Sequence, residues 1–423
     1  MRFNPFTKVS DSPTNPHPTT PEKTFDVADL YVGPVADVAQ EGGAESAPLD
    51  EKLRQAYFWI VNSAIISPFY DIEYNGKQTT SFVFGDSRTR VTLPSDQSYS
   101  SFILMPLLNL ALRKRCLLVG GPGRGKTASA VLMGLIAGYS MKEIRQAIQH
   151  GQPQMTISDL LGNPLPSTLV AAKSMEEIEI SWRKWLSMRV KIIDEYNRIP
   201  TRTQSALLTV LADNYAEILD HIYECPDAAW YLTANDDAGG GTYQVIEALR
   251  DRIDIVVKAL HFNTRFLGDL LLRIEQGIKP EEVVPAQIVF TERELDRIHK
   301  EILAVAIPVA LRRRIEFFTS NFEFCEAAGE QLEYKTKDTV KLSGMEYSLV
   351  ATQESGKDKV RDIGSQTKNG LSVRALMTLL GFAKALAWFR GNREVSFEDV
   401  RQIIPFVLHD KLTQNADSPF FEA

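Results

Sequence analysis

Cysteine is scarce in this chain: 423 residues contain three, at 116, 225 and 325, with no C-x-x-C pair. An odd, widely spaced set excludes a disulfide framework and a cysteine-based zinc site, and it fits a reducing cytoplasm. The six histidines show no metal-ligand spacing. Positive charge is also short: 47 Lys and Arg face 54 Asp and Glu, for a formal net charge of −7. That balance argues against a surface built mainly to grip nucleic-acid phosphates. The basic run from Arg113 to Arg115 reads instead as a solvated helix end. Long apolar runs are missing too. The longest, Phe102–Leu112, is interrupted by Pro106 and Asn109 and is too short to span a bilayer. No apolar centre of the export-signal kind occurs in the first 24 residues. The expectation is a soluble, cytoplasmic protein.

What is present is enough apolar material, 44% of the chain, for two well-buried cores. Residues 1–50 lack periodic apolar spacing and read as a disordered or partner-binding arm. Residues 51–98 read as an extension with a helix over Glu51–Ile65 and a hairpin within Phe69–Pro94, signalled by Asn75-Gly76. Residues 99–260 carry the core. Ser101–Leu112 leads as a helix into three apolar runs, Cys116–Val119, Val190–Ile193 and Ala229–Ala234, that read as buried parallel strands. Strands alternating with helices predict an α/β fold, three layers with a parallel sheet in the middle. Residues 261–415 turn helical, forming an all-α lid. Thr291 with Glu294, Ser372, and Ser396 with Asp399 mark helix starts, and a polar insertion interrupts the lid at about 320–368.

Between the first strand and its helix stands GGPGRGKT: Gly120, Gly121, Pro122, Gly123, Arg124, Gly125, Lys126, Thr127. It matches G-x-x-x-x-G-K-[ST] in full. Glycines let successive amides point inward, and the helix N-terminus adds partial positive charge, so the turn suits phosphates. Lys126 would reach the terminal phosphates of ATP, and the Thr127 hydroxyl would ligate Mg²⁺. A dinucleotide fingerprint fails, because counting from Gly121 puts Lys126 at its sixth position. The second strand ends in Asp194-Glu195. Carboxylates at the C-terminal edge of a parallel strand lie where ligands collect in such sheets. Asp194 would hold Mg²⁺, and Glu195 would polarise the attacking water.

With these pieces in order, GGPGRGKT, IIDEYNRIPTRTQSALLTVLAD, LTAND, EALRDRID and LSVRALMTLL, the chain resembles MoxR-type AAA+ ATPases of the helix-2-insert clade. The resemblance spans 100–260 closely and 262–415 more loosely. It implies a P-loop AAA+ core with a helical lid. Asn235 matches the first sensor, Arg252 the arginine finger reaching into a neighbouring subunit (Arg250 being the runner-up), and Arg374 the second sensor, expected near the γ-phosphate. Gln154–Pro166 resembles the insertion that marks the clade and often faces a central pore. Arg198 would serve a subunit interface or orient Glu195. The sensor departs from the family's usual Asn-Pro, reading Asn-Asp-Asp with Gly239–Gly241 following. The family implies a hexameric ring acting as a chaperone-like remodeller, with a von Willebrand factor A domain protein as possible partner. The alternatives are a nucleotide-binding scaffold with little turnover and a nucleic-acid-translocating motor.

Overall fold

The computed structural model describes residues 48–73, 80–84, 89–93, 98–235, 247–260, 263–264, 267–277, 279–324, 367, 369–409 and 411–412. Nearly all of the N-terminal arm, Asn75-Gly76, Asp236-Asp237, Gly239–Gly241 and most of the 320–368 insertion lie outside the described residues.

Helix α1, Leu49–Ser63, buries Leu49, Leu53, Ala56, Tyr57 and Ile60 at helical spacing. Strand β1 (Tyr70–Ile72) pairs antiparallel with β4 (Tyr99–Ser100), and the β2–β3 hairpin, Thr80–Phe84 with Thr89–Leu93, falls between them in sequence. The register of that hairpin runs from Thr80↔Leu93 to Phe84↔Thr89. Asn75-Gly76, read as the hairpin signal, precedes β2 and lies outside the described residues. Among the described strands of this segment, β1 pairs with β4 and β2 with β3.

Helix α2, Ser101–Leu112, is buried along its whole length. Asp71 of β1 accepts from the Ser101 amide (2.8 Å) and hydroxyl (2.6 Å), satisfying donors the first turn cannot use internally. The helix stops at Arg113 in the left-handed region, φ 53°. The basic run that follows is not simply solvated: Arg113 pairs with Asp296, and Arg115 pairs with Asp254 and the Leu211 carbonyl.

The core then unfolds in sequence as β5 (Arg115–Val119), α3 (Lys126–Ile136), α4 (Met141–Ala147) and β6 (Ile148–His150). Next come α5 (Ile157–Leu161), β7 (Gly162–Pro164), α6 (Pro166–Ala171) and β8 (Ile180–Trp182), with β7 and β8 antiparallel. Strand β9 (Val190–Asp194), α7 (Thr201–Asp213), the hairpin β10–β11 (Tyr215–Ile218 with His221–Glu224), β12 (Ala229–Ala234), α8 (Glu247–Arg252) and β13 (Ile255–Lys258) complete it. Five strands form one parallel sheet in the order β13-β5-β12-β9-β6. Alternation along each strand splits the apolar side chains between two cores. Cys116, Leu118, Ile192, Tyr231 and Val257 face one. Leu117, Ile193, Trp230, Leu232 and Val256 face the other, with α5 and α7.

The C-terminal helices are α9 (Leu267–Glu275), α10 (Glu292–Ala304), α11 (Val309–Ser320), α12 (Val373–Phe389) and α13 (Phe397–Leu408). The expected helix starts are present: Thr291–Glu294 and Ser396–Asp399 are reciprocal capping boxes, and Ser372 accepts from the Ala375 amide. These helices do not carry a separate core. Residues of α10, α12 and α13 join α1 and α2 in the first core. Leu379, Phe382, Ala383, Leu386 and Phe389 make α12 apolar over a broad surface, and a helix of that kind must be covered on several sides. Among the described residues, no helix is long and apolar enough to cross a membrane.

Candidate functional site

Three strand ends converge on the glycine-rich turn. The Gly120 amide donates to the Ala234 carbonyl ending β12 (3.2 Å), and Ala259, just past β13, donates to Val119 (2.7 Å). Gly123 and Gly125 take φ of 71° and 80°, the left-handed conformation that lets the turn fold back before α3 begins at Lys126. The turn thus closes one side of a pocket of about 290 Å³ whose other walls include Asp194, Glu195, Thr233 and Asn235.

Inside it, the polar groups are connected. The Thr127 hydroxyl donates to Asp194 Oδ1 at 2.7 Å, and Thr233 donates to the same oxygen at 2.7 Å while accepting from the Glu195 amide at 2.9 Å. The Lys126 side chain is buried; its ammonium donates to the Gly120 and Gly121 carbonyls and to Asn235 Oδ1 (2.9 Å). Asn235 in turn donates from Nδ2 to Glu195 Oε1 at 3.0 Å, and Arg198 pairs with Glu195 Oε2 at 3.0 Å. Glu195 itself has φ 52° and ψ 48°, left-handed for a residue with a side chain. Such a backbone costs about 1–3 kcal/mol and persists where the surroundings over-determine it. A hydroxyl and a carboxylate joined at the mouth of an amide-lined turn are hard oxygen donors. They fit Mg²⁺, which takes few protein ligands and completes its shell with phosphate and water.

A second cavity, of about 380 Å³, adjoins the turn at Pro122, Gly123 and Arg124 and is otherwise walled largely by apolar side chains such as Ile66, Phe102 and Leu270. Sequence reasoning missed this wall. Its residues come from the segment that follows α1, from the start of α2, from the end of β13 and from α9, and nothing in their spacing marks them as one surface.

Comparison with known proteins agrees with the geometry. Residues 115–255 match the model of the ATPase family associated with various cellular activities (AAA), and residues 362–423 match the AAA lid domain. The chain is 25% identical over 313 residues to Chaperone MoxR1 of Mycobacterium tuberculosis, covering 74% of this chain and 71% of that one. It is 25% identical over 338 residues to Protein MoxR of Paracoccus denitrificans, covering 76% and 86%. The chain carries the core and lid of an AAA+ fold and is similar to MoxR-type AAA+ proteins. In fold it also resembles the crystal structure of a candidate ATPase from Cytophaga hutchinsonii, with TM-score 0.52 and 21% identity over 76% of this chain and 85% of that one.

Within this AAA+ fold, the residues singled out from sequence separate into two groups. Lys126, Thr127, Asp194, Glu195 and Asn235 line one pocket. Arg252 and Arg374 do not line it. Arg252 ends α8, where its Nη1 donates to the Ala248 carbonyl (3.0 Å), and Arg250 on the same helix is exposed. Arg374 was expected near the γ-phosphate; instead it pairs with Asp251, next to Arg252. The reason is where α12 packs. Thr378, one turn further along, donates to buried Asp254 at 2.6 Å and docks the helix on the α8–β13 junction.

The segment resembling the clade's insertion also extends further than Gln154–Pro166, since the β7–β8 hairpin runs to Trp182 and carries α6 between its strands. Leu169 and Val170 of α6 are 50% and 88% exposed. The β10–β11 hairpin stands beside the β7–β8 hairpin. Tyr223 of that hairpin meets Trp182, with ring centroids 5.4 Å apart, and His221 Nε2 lies 2.9 Å from the Met175 carbonyl oxygen.

Proposed function

We propose that this protein hydrolyses ATP at the pocket formed by Gly120–Thr127, Asp194, Glu195 and Asn235, working as a ring-forming, chaperone-like remodeller of other proteins. The observation that carries the reading is the connected set Thr127–Asp194 and Lys126–Asn235–Glu195 around one phosphate-sized space. Phosphoryl transfer asks for positioning and charge neutralisation more than covalent chemistry. Lys126 and the turn amides bind the phosphate oxygens, an incoming anion competing with the Gly120 and Gly121 carbonyls for the ammonium. Bound through Thr127 and Asp194, Mg²⁺ would neutralise charge on those oxygens. Glu195 orients and polarises water, and Asn235, bonded to it, keeps it aimed. The apolar cavity beside Arg124 is suited to the adenine ring, a flat group whose burial needs little more than apolar walls.

Arg252 and Arg374 act on a neighbour's pocket. Their support is a shared face: both lie at the α8–α12 contact, flanked by Val373 and Met377, which are 74% and 61% exposed and suit a second copy of the chain. Supplying an arginine in trans is worth roughly 10³–10⁵ in rate, so turnover should depend on assembly, with a hexamer as the expected ring. The paired hairpins β7–β8 and β10–β11, with Leu169, Val170 and Ile222 exposed, are the surface proposed for the client protein. A von Willebrand factor A domain protein is the partner class to test.

The decisive experiment is steady-state phosphate release by wild type and Glu195→Gln at concentrations where assemblies form. Wild type should turn over and the variant should bind ATP without releasing phosphate. A wild-type assembly that releases none would end the hydrolase reading. The stalled Glu195→Gln protein is also the bait for identifying the client and any A-domain partner.

A further inference from the structure

Strand β6 ends against the acidic pair. In the parallel ladder His150 is the Cα partner of Asp194, and the amide of Gly151 donates to the Asp194 carbonyl at 2.7 Å. A Cβ on Gly151 would stand 2.2 Å from the Glu195 carbonyl oxygen, so the strand can lie this close only with no side chain at that position. That approach delivers the neighbouring imidazole: His150 Nδ1 is 3.3 Å from Asp194 Oδ2. The two oxygens of Asp194 are therefore divided between partners. Oδ1 accepts from the hydroxyls of Thr127 and Thr233, both at 2.7 Å, while Oδ2 faces the ring.

We propose that His150 is a positioning residue for the divalent-cation site, its Nδ1–H holding Asp194 Oδ2 so that the carboxylate cannot rotate away from Thr127. The proposal rests on the phosphate-pocket reading above. A carboxylate can only accept, so the contact holds Asp194 in the form of the ring that carries a proton on Nδ1. Groups standing behind a metal-binding side chain fix its orientation and are typically worth 10–100-fold in metal affinity. The His150 side chain is 71% exposed, and an exposed donor competes with water, so the lower end of that range applies. A histidine merely solvated at a strand end would need neither the paired register with Asp194 nor a glycine pressed against Glu195.

The test is Mn²⁺ binding to the full chain in the presence of ADP, followed by loss of the free-ion electron spin resonance signal, which needs no turnover. His150→Ala should weaken Mn²⁺ about 10-fold. His150→Asn, whose side-chain amide nitrogen stands close to where Nδ1 was, should recover most of that loss. ADP affinity measured in EDTA should be equal in all three proteins. Wild-type Mn²⁺ affinity in His150→Ala overturns the proposal, as does an Asn variant no better than Ala, or an ADP affinity in EDTA that falls as far as the Mn²⁺ affinity. Failure of the underlying reading looks different: wild type would bind ADP and take up no Mn²⁺ with it.

Discussion

Arg374, the second residue of α12, is bound to Asp251 of α8, immediately before Arg252. The Lys411 ammonium joins the same end of α8 at the Asp251 carbonyl. Two arginines far apart in sequence are thereby held on one face, away from their own chain's phosphate turn. Mixed assemblies test what this face does. Subunits with Lys126→Ala keep both arginines and lose nucleotide binding; subunits with Arg252→Ala and Arg374→Ala together keep the pocket and lose the face. Mixing the two should restore phosphate release well above either alone. If activity returns with Arg252→Ala alone as the second subunit but not with the double variant, Arg374 acts on its own chain's nucleotide.

The left-handed turn at Glu195 predicts a separation of stability from activity. Glu195→Ala and Glu195→Gly lose the same contacts with Arg198 and Asn235, and both should abolish turnover. They differ in the backbone. A Cβ in the left-handed region costs roughly 1–2 kcal/mol, offset in part by the greater freedom of an unfolded glycine. The Gly variant should therefore be more stable than the Ala variant by about 1 kcal/mol in urea denaturation. An Ala variant equal or superior to Gly would show that the turn is unstrained.

Lys191 offers a pH test. It is fully buried in β9, on the face occupied by Trp185 and Trp230, and its ammonium donates to the carbonyls of Met188 (2.6 Å), Leu186 (2.7 Å) and Trp185 (3.3 Å). Desolvation pushes its pKa down from 10.5 to about 8, with Cys225 opposing slightly. Between those values the unfolded chain holds the proton and the folded chain does not, so stability rises with pH. The contribution is complete above the unfolded value and is lost as pH falls through about 8, a span of about 3 kcal/mol. The stability of wild type relative to Lys191→Met should climb between pH 7.5 and 9.5, read from denaturant midpoints. A difference that stays level with pH would mean the buried lysine keeps its proton throughout.

Thr378 ties α12 to the sheet through its 2.6 Å bond to Asp254, which also accepts from the Arg115 amide at 2.9 Å. Thr378→Val preserves shape and removes one donor from a buried carboxylate. Hydrogen bonds to charged groups are worth about 1.5–3 kcal/mol, and the variant should lose that much stability in guanidinium denaturation. A loss under about 0.5 kcal/mol, the scatter of ordinary surface substitutions, would show that α12 is held by its apolar face alone.

How much of this could be read in advance depended on whether a signal was local. The phosphate turn, the apolar strands at Cys116, Val190 and Ala229, and the capping boxes at Thr291 and Ser396 are each written within a few consecutive residues, and the structure carries all of them. The pairing of β1 with β4 was not legible, because the two strands are separated by the whole β2–β3 hairpin. His150 and Gly151 could not be recognised, since a lone histidine and a lone glycine acquire meaning only from the strand beside them.

The amino-acid order by itself determined that a glycine-rich turn would meet a helix, that carboxylates would end a buried strand, and that alternating elements would form a parallel sheet; these follow from backbone sterics, helix termini and side-chain periodicity, which act over short distances. Only the tertiary structure decided that the C-terminal helices share a core with α1 and α2, that Arg374 lies with Asp251 rather than beside Lys126, and that β6 brings His150 to Asp194. Those outcomes depend on which surfaces cover one another and on strand register, and neither is set by any segment alone.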